Sequence, residues 1–167
     1  MKTILTRMKT LVRENNSAGQ TLEYVKHVEV IHPEISIIDI NQSVTPSIFL
    51  APGRTIESWE ASQRKIAEHR VVASLMMYYT QRELNMIGDE SRGLNGKGLF
   101  DFENDFMTIF RGHRLAVDGV NYLDKPLEIE DIDRFPTEVD ENVFVITSRI
   151  TLFCTRLFFQ ETLPGNI

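Results

Sequence analysis

Four histidines, one cysteine and a run of acids are the residues of this chain best suited to chemistry. The histidines are His27, His32, His69 and His113, and none of them forms an HxxxH or HExxH pair. A lone thiol, Cys154, cannot complete a zinc site. His27 and His32 flank a predicted strand at odd spacing and read as surface histidines. Glu128, Glu130, Asp131 and Asp133 offer the oxygen ligands that hard cations prefer. Their spacing is not that of a calcium loop, and alternation with apolar neighbours reads as the wet face of a strand. The stretch GLNGKG at 93–98 resembles a phosphate loop only in its lysine: Gly98 stands where the pattern needs a hydroxyl. It reads as a flexible turn. No GxSxG elbow occurs, and no serine is suggestively placed with a histidine. The chain is therefore read as a non-enzyme, with no catalytic residue, no cofactor and no metal site.

The totals bound what can position such residues. A chain of 167 residues, 42% hydrophobic and 25% charged, fits one domain over residues 1–167 with a real core. A net charge of −6 argues against a protein that grips nucleic acid through its phosphates. One cysteine permits no intrachain disulfide and fits a reducing compartment. Cys154 falls within an apolar strand, where a small buried thiol is expected to be inert. The opening MKTILTRMKTLVREN is interrupted by Arg7, Lys9 and Arg13, so it reads neither as a signal peptide nor as a membrane span.

Periodicity supplies the elements. Ile4, Leu5, Met8, Leu11 and Val12 make one face of an N-terminal helix, closed by NNSAG. Val28 and Val30 alternate in a short strand. SIFL at 47–50 is a second strand, ended by the turn signal Ala51-Pro52-Gly53. Residues 54–68 read as a polar arm or a long hairpin connection. The segment 68–84 is apolar on both faces over its centre and so belongs in mid-sheet. Leu99, Phe102, Phe106, Ile109 and Phe110 form the stripe of a second helix, with Asp101, Glu103 and Asp105 favouring its positive end. Leu127, Ile129 and Asp131 alternate as an edge strand, and an acidic turn after Pro136 leads to the last strand. The fold class is α+β: a mostly antiparallel sheet with long strands, packed by an N-terminal and a central helix.

The last strand is the anomaly. VFVITSRITLFCTRLFFQ at 143–160 contains neither Gly nor Pro. Fully extended, it reaches about 59 Å, against a globule about 40 Å across. Phe144, Ile146, Ile150, Leu152 and Cys154 face one way. Phe153, Leu157, Phe158 and Phe159 place apolar groups on both faces near its end, where a neighbouring subunit could cover them. Arg54 and Trp59 join them as docking candidates, because Arg and Trp are enriched at interface hot spots.

The order of ILTRMKTLVREN, LEYVKHVEVI, TPSIFLAPG, the polar connection, RVVASLMMYYTQRE, LFDFENDFMTIFRG and the closing strand resembles the tail-terminator, or neck, proteins of tailed bacteriophages. The resemblance lies in element order and hydrophobic pattern and covers most of the chain. It implies an α+β subunit that joins a hexameric ring on the last ring of the tail tube. Such a ring caps the tube and forms the head–tail joint. The implied partners are the chain itself, the tail tube protein and a head-completion protein. DNA passes through without specific binding, and no membrane is involved. The implied location is the virion, assembled in the host cytoplasm. Glu128 and Glu130 are then candidates for an acidic lumen that repels the passing phosphates. Another head–tail connector, a small-molecule enzyme or α+β binding domain, and an acidic partner of a basic toxin remain open as alternatives.

Overall fold

The computed structural model describes residues 1–32, 45–61, 64–79, 84–89, 91, 93, 96–116, 119–140 and 143–159. In chain order the elements are α1 (Lys2–Glu14), β1 (His27–Val30), β2 (Ser47–Ala61), β3 (Arg64–Tyr79), α2 (Leu84–Ile87), α3 (Leu99–Phe110), β4 (Glu128–Asp140) and β5 (Val143–Phe159). The five strands form one sheet in the order β1-β2-β3-β5-β4. β1 runs parallel to β2, and every other pair is antiparallel. The architecture is α+β.

One face of the sheet carries the main core. Register aligns Ile48, Leu75 and Ser148, then Leu50, Ala73, Ile150 and Ile132, then Val71, Leu152 and Ile129. The predicted stripes of the helices close over them. α1 buries Ile4, Leu5, Met8 and Val12, and α3 buries Leu99, Phe102, Phe106 and Phe110. Burying one such phenylalanine stabilises the fold by about 1.5–3 kcal/mol. The N-terminus of α3 is fixed by its own first turn, where the Gly98 N–H donates to Asp101 Oδ2 at 2.9 Å. The opposite face holds a smaller cluster of Phe49, Met76 and Val145, with Ile31 against it. Central β3 is thus covered on both faces, as its sequence requires.

Four sequence expectations need correction. Ala51-Pro52-Gly53 is not a turn, because β2 runs through it with a bulge between Pro52 and Thr55. The Leu50 carbonyl points outward to the Ile31 N–H at 2.9 Å. Pro52, two residues on, points the same way, where its missing N–H breaks no rung to β3. A Cβ on Gly53 would stand 2.9 Å from the Arg70 carbonyl oxygen, so only glycine allows the strands to close here. The polar arm at 54–68 is likewise strand over its described residues, 54–61 in β2 and 64–68 in β3. Pro136 does not end β4, which continues to Asp140 as an edge strand. Finally, the alternation in β4 breaks between Ile129 and Asp131. This bulge at Glu130 puts Ile129 and Ile132 on the core side and Asp131 on the other. β5, by contrast, is continuous: it pairs with β3 without a register shift from Tyr79–Phe144 to Arg64–Phe159.

Candidate functional site

Above the bulges, β2, β3 and β5 continue as a three-stranded blade. The registers Thr55–His69–Cys154 and Glu57–Ala67–Arg156 belong to the helix side of the sheet. Ser58–Ile66–Leu157 belongs to the other side. The blade begins at a line marked by Arg70. Its Nε and Nη2 donate to the two Glu130 oxygens at 2.6 Å each, across the intervening β5. On the way its guanidinium lies 5.4 Å from the Phe153 ring centroid. The hydrogen bond from Arg70 holds the Glu130 carboxyl below the usual carboxylate range.

The segment before β4 closes the base of the blade. The Asp124 N–H donates to the Thr155 carbonyl at 3.2 Å, and the Leu157 N–H donates to Asp124 Oδ2 at 2.7 Å. Asp124 thus occupies the edge of β5 that β4 leaves at Phe153. Tyr122 is gripped by two guanidiniums, with Arg7 4.3 Å and Arg156 3.9 Å from its ring centroid. Arg156 Nη1 also donates to the Tyr122 hydroxyl at 2.6 Å. Arg7 Nη1 donates to the Leu115 carbonyl at 2.8 Å. These contacts tie α1 to the blade through aromatic and carbonyl groups.

The predicted docking residues whose side chains are described do not form one patch. Trp59 is 59% exposed and shares the helix-side register with Lys65. Phe153 and Leu157 lie on the opposite face and are half-buried. Arg54 is exposed at the bulge. Phe158 and Phe159 pair by backbone with Lys65 and Arg64, and their side chains lie outside the described residues, as does the tail at 160–167. Of the two lumen candidates, Glu128 is exposed opposite Phe153, whereas Glu130 is neutralised by Arg70. Two apolar residues of the 54–68 stretch, which the sequence shows without a full stripe, extend the apolar face of the blade. Both are half-buried: Ile66 pairs with Leu157, and Ile56, on β2, shares their face. Their sequence spacing makes no stripe because they stand on two different strands, β2 and β3, and only the pairing brings them to one face.

Groups suited to chemistry are committed elsewhere. Cys154 is fully buried, and burial pushes its thiol up to about 12. His69 is buried with its Nδ1 3.0 Å from Thr55 Oγ1, and burial holds it below the usual imidazole range. Lys97, the lysine of GLNGKG, donates to Asp105 Oδ2 at 2.8 Å, and the Tyr24 hydroxyl donates to the same oxygen at 2.9 Å. Burial, together with that carboxylate, raises the Tyr24 phenol, which stays a neutral donor. Glu103, only 2% exposed, accepts two hydrogen bonds from Arg134 at 2.7 and 2.6 Å. Among the described residues no three metal-ligating side chains converge, and no helix is long and apolar enough to cross a membrane. One basic cavity of about 290 Å³ opens beside β1, lined by Arg13, Asn16, Lys26, His27 and Val28.

Comparison with protein-family models and with curated proteins finds no match.

Proposed function

We propose that this protein is a structural subunit of a phage particle that caps the tail tube as a hexameric ring and forms the head–tail joint. The observation that carries the reading is the blade. Strand register runs out to Trp59–Lys65 and Arg64–Phe159, where large side chains such as Trp59 stand in solvent. A sheet extended this far past its helices gains stability when a neighbour covers it. The apolar face formed by Ile56, Ile66, Leu157 and Phe153 suits that neighbour. Net acidity suits a channel that lets DNA pass without holding it. In this reading the partners are further copies, the tail tube protein and a head-completion protein, and the place of action is the neck of the virion.

A lone α+β binding domain is the second reading, and the basic cavity beside β1 favours it. Light scattering across a concentration series, with negative-stain imaging on purified tail tubes, separates the two. A species near six times 19.3 kDa, seen as a ring at the tube end, is the expected result. A chain that stays monomeric both alone and with tubes would overturn the ring.

A further inference from the structure

Two cations and three carboxylates that make no ion pair among the described residues lie at opposite edges of one sheet. β1 is the first strand in the order and β4 the last, four interstrand spacings or about 19 Å apart. At the β1 edge, Arg13 from the last turn of α1 and Lys26 just before β1 line the 290 Å³ cavity with His27 and Asn16. Arg13 and Lys26 are exposed and carry no ion pair among the described residues. His27 holds Glu29 at 3.0 Å, and Asn16 Nδ2 donates to the Val25 carbonyl at 2.5 Å. Two positive charges without an ion pair among the described residues therefore line the opening.

At the β4 edge the sequence is EIEDIDRFPTEVD. Arg134 is taken by Glu103 and Glu130 by Arg70. Glu128, Asp131 and Asp133 are exposed and make no ion pair among the described residues; Asp133 stands opposite Arg149 in the register, but that guanidinium lies over the Phe135 ring, 4.8 Å from its centroid. Asp131 Oδ1 accepts the N–H of Ile132, at 2.8 Å. The bulge at Glu130 turns Asp131 and Asp133 onto the same face, as side chains two apart on a strand.

We infer that the cavity beside β1 receives Asp131 and Asp133 from the β4 edge of a second copy of this chain. The two surfaces differ and sit on opposite edges, so the contact is heterologous and each copy keeps one edge free until a ring closes. Exposed ion pairs contribute little strength individually; the contact chiefly steers the copies together and sets their orientation, and salt weakens it. The inference rests on the assembly reading above and adds to it which two edges meet.

The test uses the full chain in sedimentation velocity, across a concentration series at low and high salt. Two variants reverse one surface each: Arg13→Glu with Lys26→Glu, and Asp131→Lys with Asp133→Lys. Each alone is expected to associate at least about tenfold more weakly than the parent. An equimolar mixture of the two, and the chain carrying all four changes, should recover association. A parent chain that is monomeric at low salt would overturn the inference. So would variants that associate normally, or a mixture that fails to recover while both variants keep the parent's circular dichroism and Tm. Inorganic phosphate bound in the cavity of a chain that never self-associates would assign the site to a small anion, and also overturn it. Rings that ignore salt and charge reversal remove this contact and leave the proposed function. Salt-sensitive association that never closes a ring on tubes leaves the contact and removes the proposed function.

Discussion

The buried charge of Glu103 depends on a single cation among the described residues. Its carboxylate is 2% exposed and is compensated by Arg134, whose own side chain is 41% exposed. The two partners are therefore unequal. Arg134→Met leaves a buried, uncompensated carboxylate and is expected to cost about 3 kcal/mol. Glu103→Gln leaves a guanidinium that can reach water, and should cost about 1–2 kcal/mol. Urea unfolding of both variants checks the order. His69 carries a pH dependence of opposite origin. Burial holds its folded form below the usual imidazole range, aided by the positive charges of the N-terminus and Arg156. The unfolded chain thus takes up a proton near pH 6.5 before the folded chain does. Stability from this residue is complete above that pH and falls as the pH drops through the window beneath it. His69→Gln should remove that part of the decline in thermal melts between about pH 7.5 and about pH 5. Neither role was legible in the sequence. Glu103 reads as one of three acids favouring a helix N-terminus, and only the fold brings Arg134 opposite it.

The elements were more legible, wherever one period held throughout. The stripes of α1 and α3 and the two-faced run of β3 follow directly from apolar spacing. Reading failed at the bulges, because one extra residue inverts the alternation on which a strand is recognised. Ile129 and Asp131 therefore looked like companions on one face, while Pro52-Gly53, which admits the bulge in β2, looked like a turn because turns favour the same two residues. Gly53 is the position where the bulge can be tested. Its missing Cβ admits the Arg70 carbonyl, so Gly53→Val forces β2 and β3 apart. An expected loss of about 1–3 kcal/mol, with faster amide exchange at 55–59 than in the body, would follow. A Gly53→Val chain of unchanged stability would mean that the strands can separate here without cost.

For the whole molecule, stability and assembly should be separable. Trp59 is exposed, so Trp59→Ala is expected to change unfolding stability by no more than about 0.5 kcal/mol. If the blade is an interface, the same change should weaken ring formation on tail tubes, read by counting capped tube ends in stained images. Unchanged capping would take Trp59 out of the interface. The overall layout was legible to the extent that a strand too long for its globule announces itself by length alone. What length could not reveal was the blade's other half, because the polar stretch at 54–61 pairs along β3 without an apolar signature of its own.

The unbroken pairing of β3 with β5, from Arg64–Phe159 to Tyr79–Phe144, also makes the molecule mechanically directional. Force drawn along these strands loads every rung in parallel, as shear. Force that peels the tip sideways meets the rungs one at a time. Tension entering at the blade along its length therefore reaches the body undiminished, while a lateral tug is resisted only where it is applied. Such a subunit acts as a tie-rod: stiff along one axis, compliant across it, and strongest when its load follows the strands.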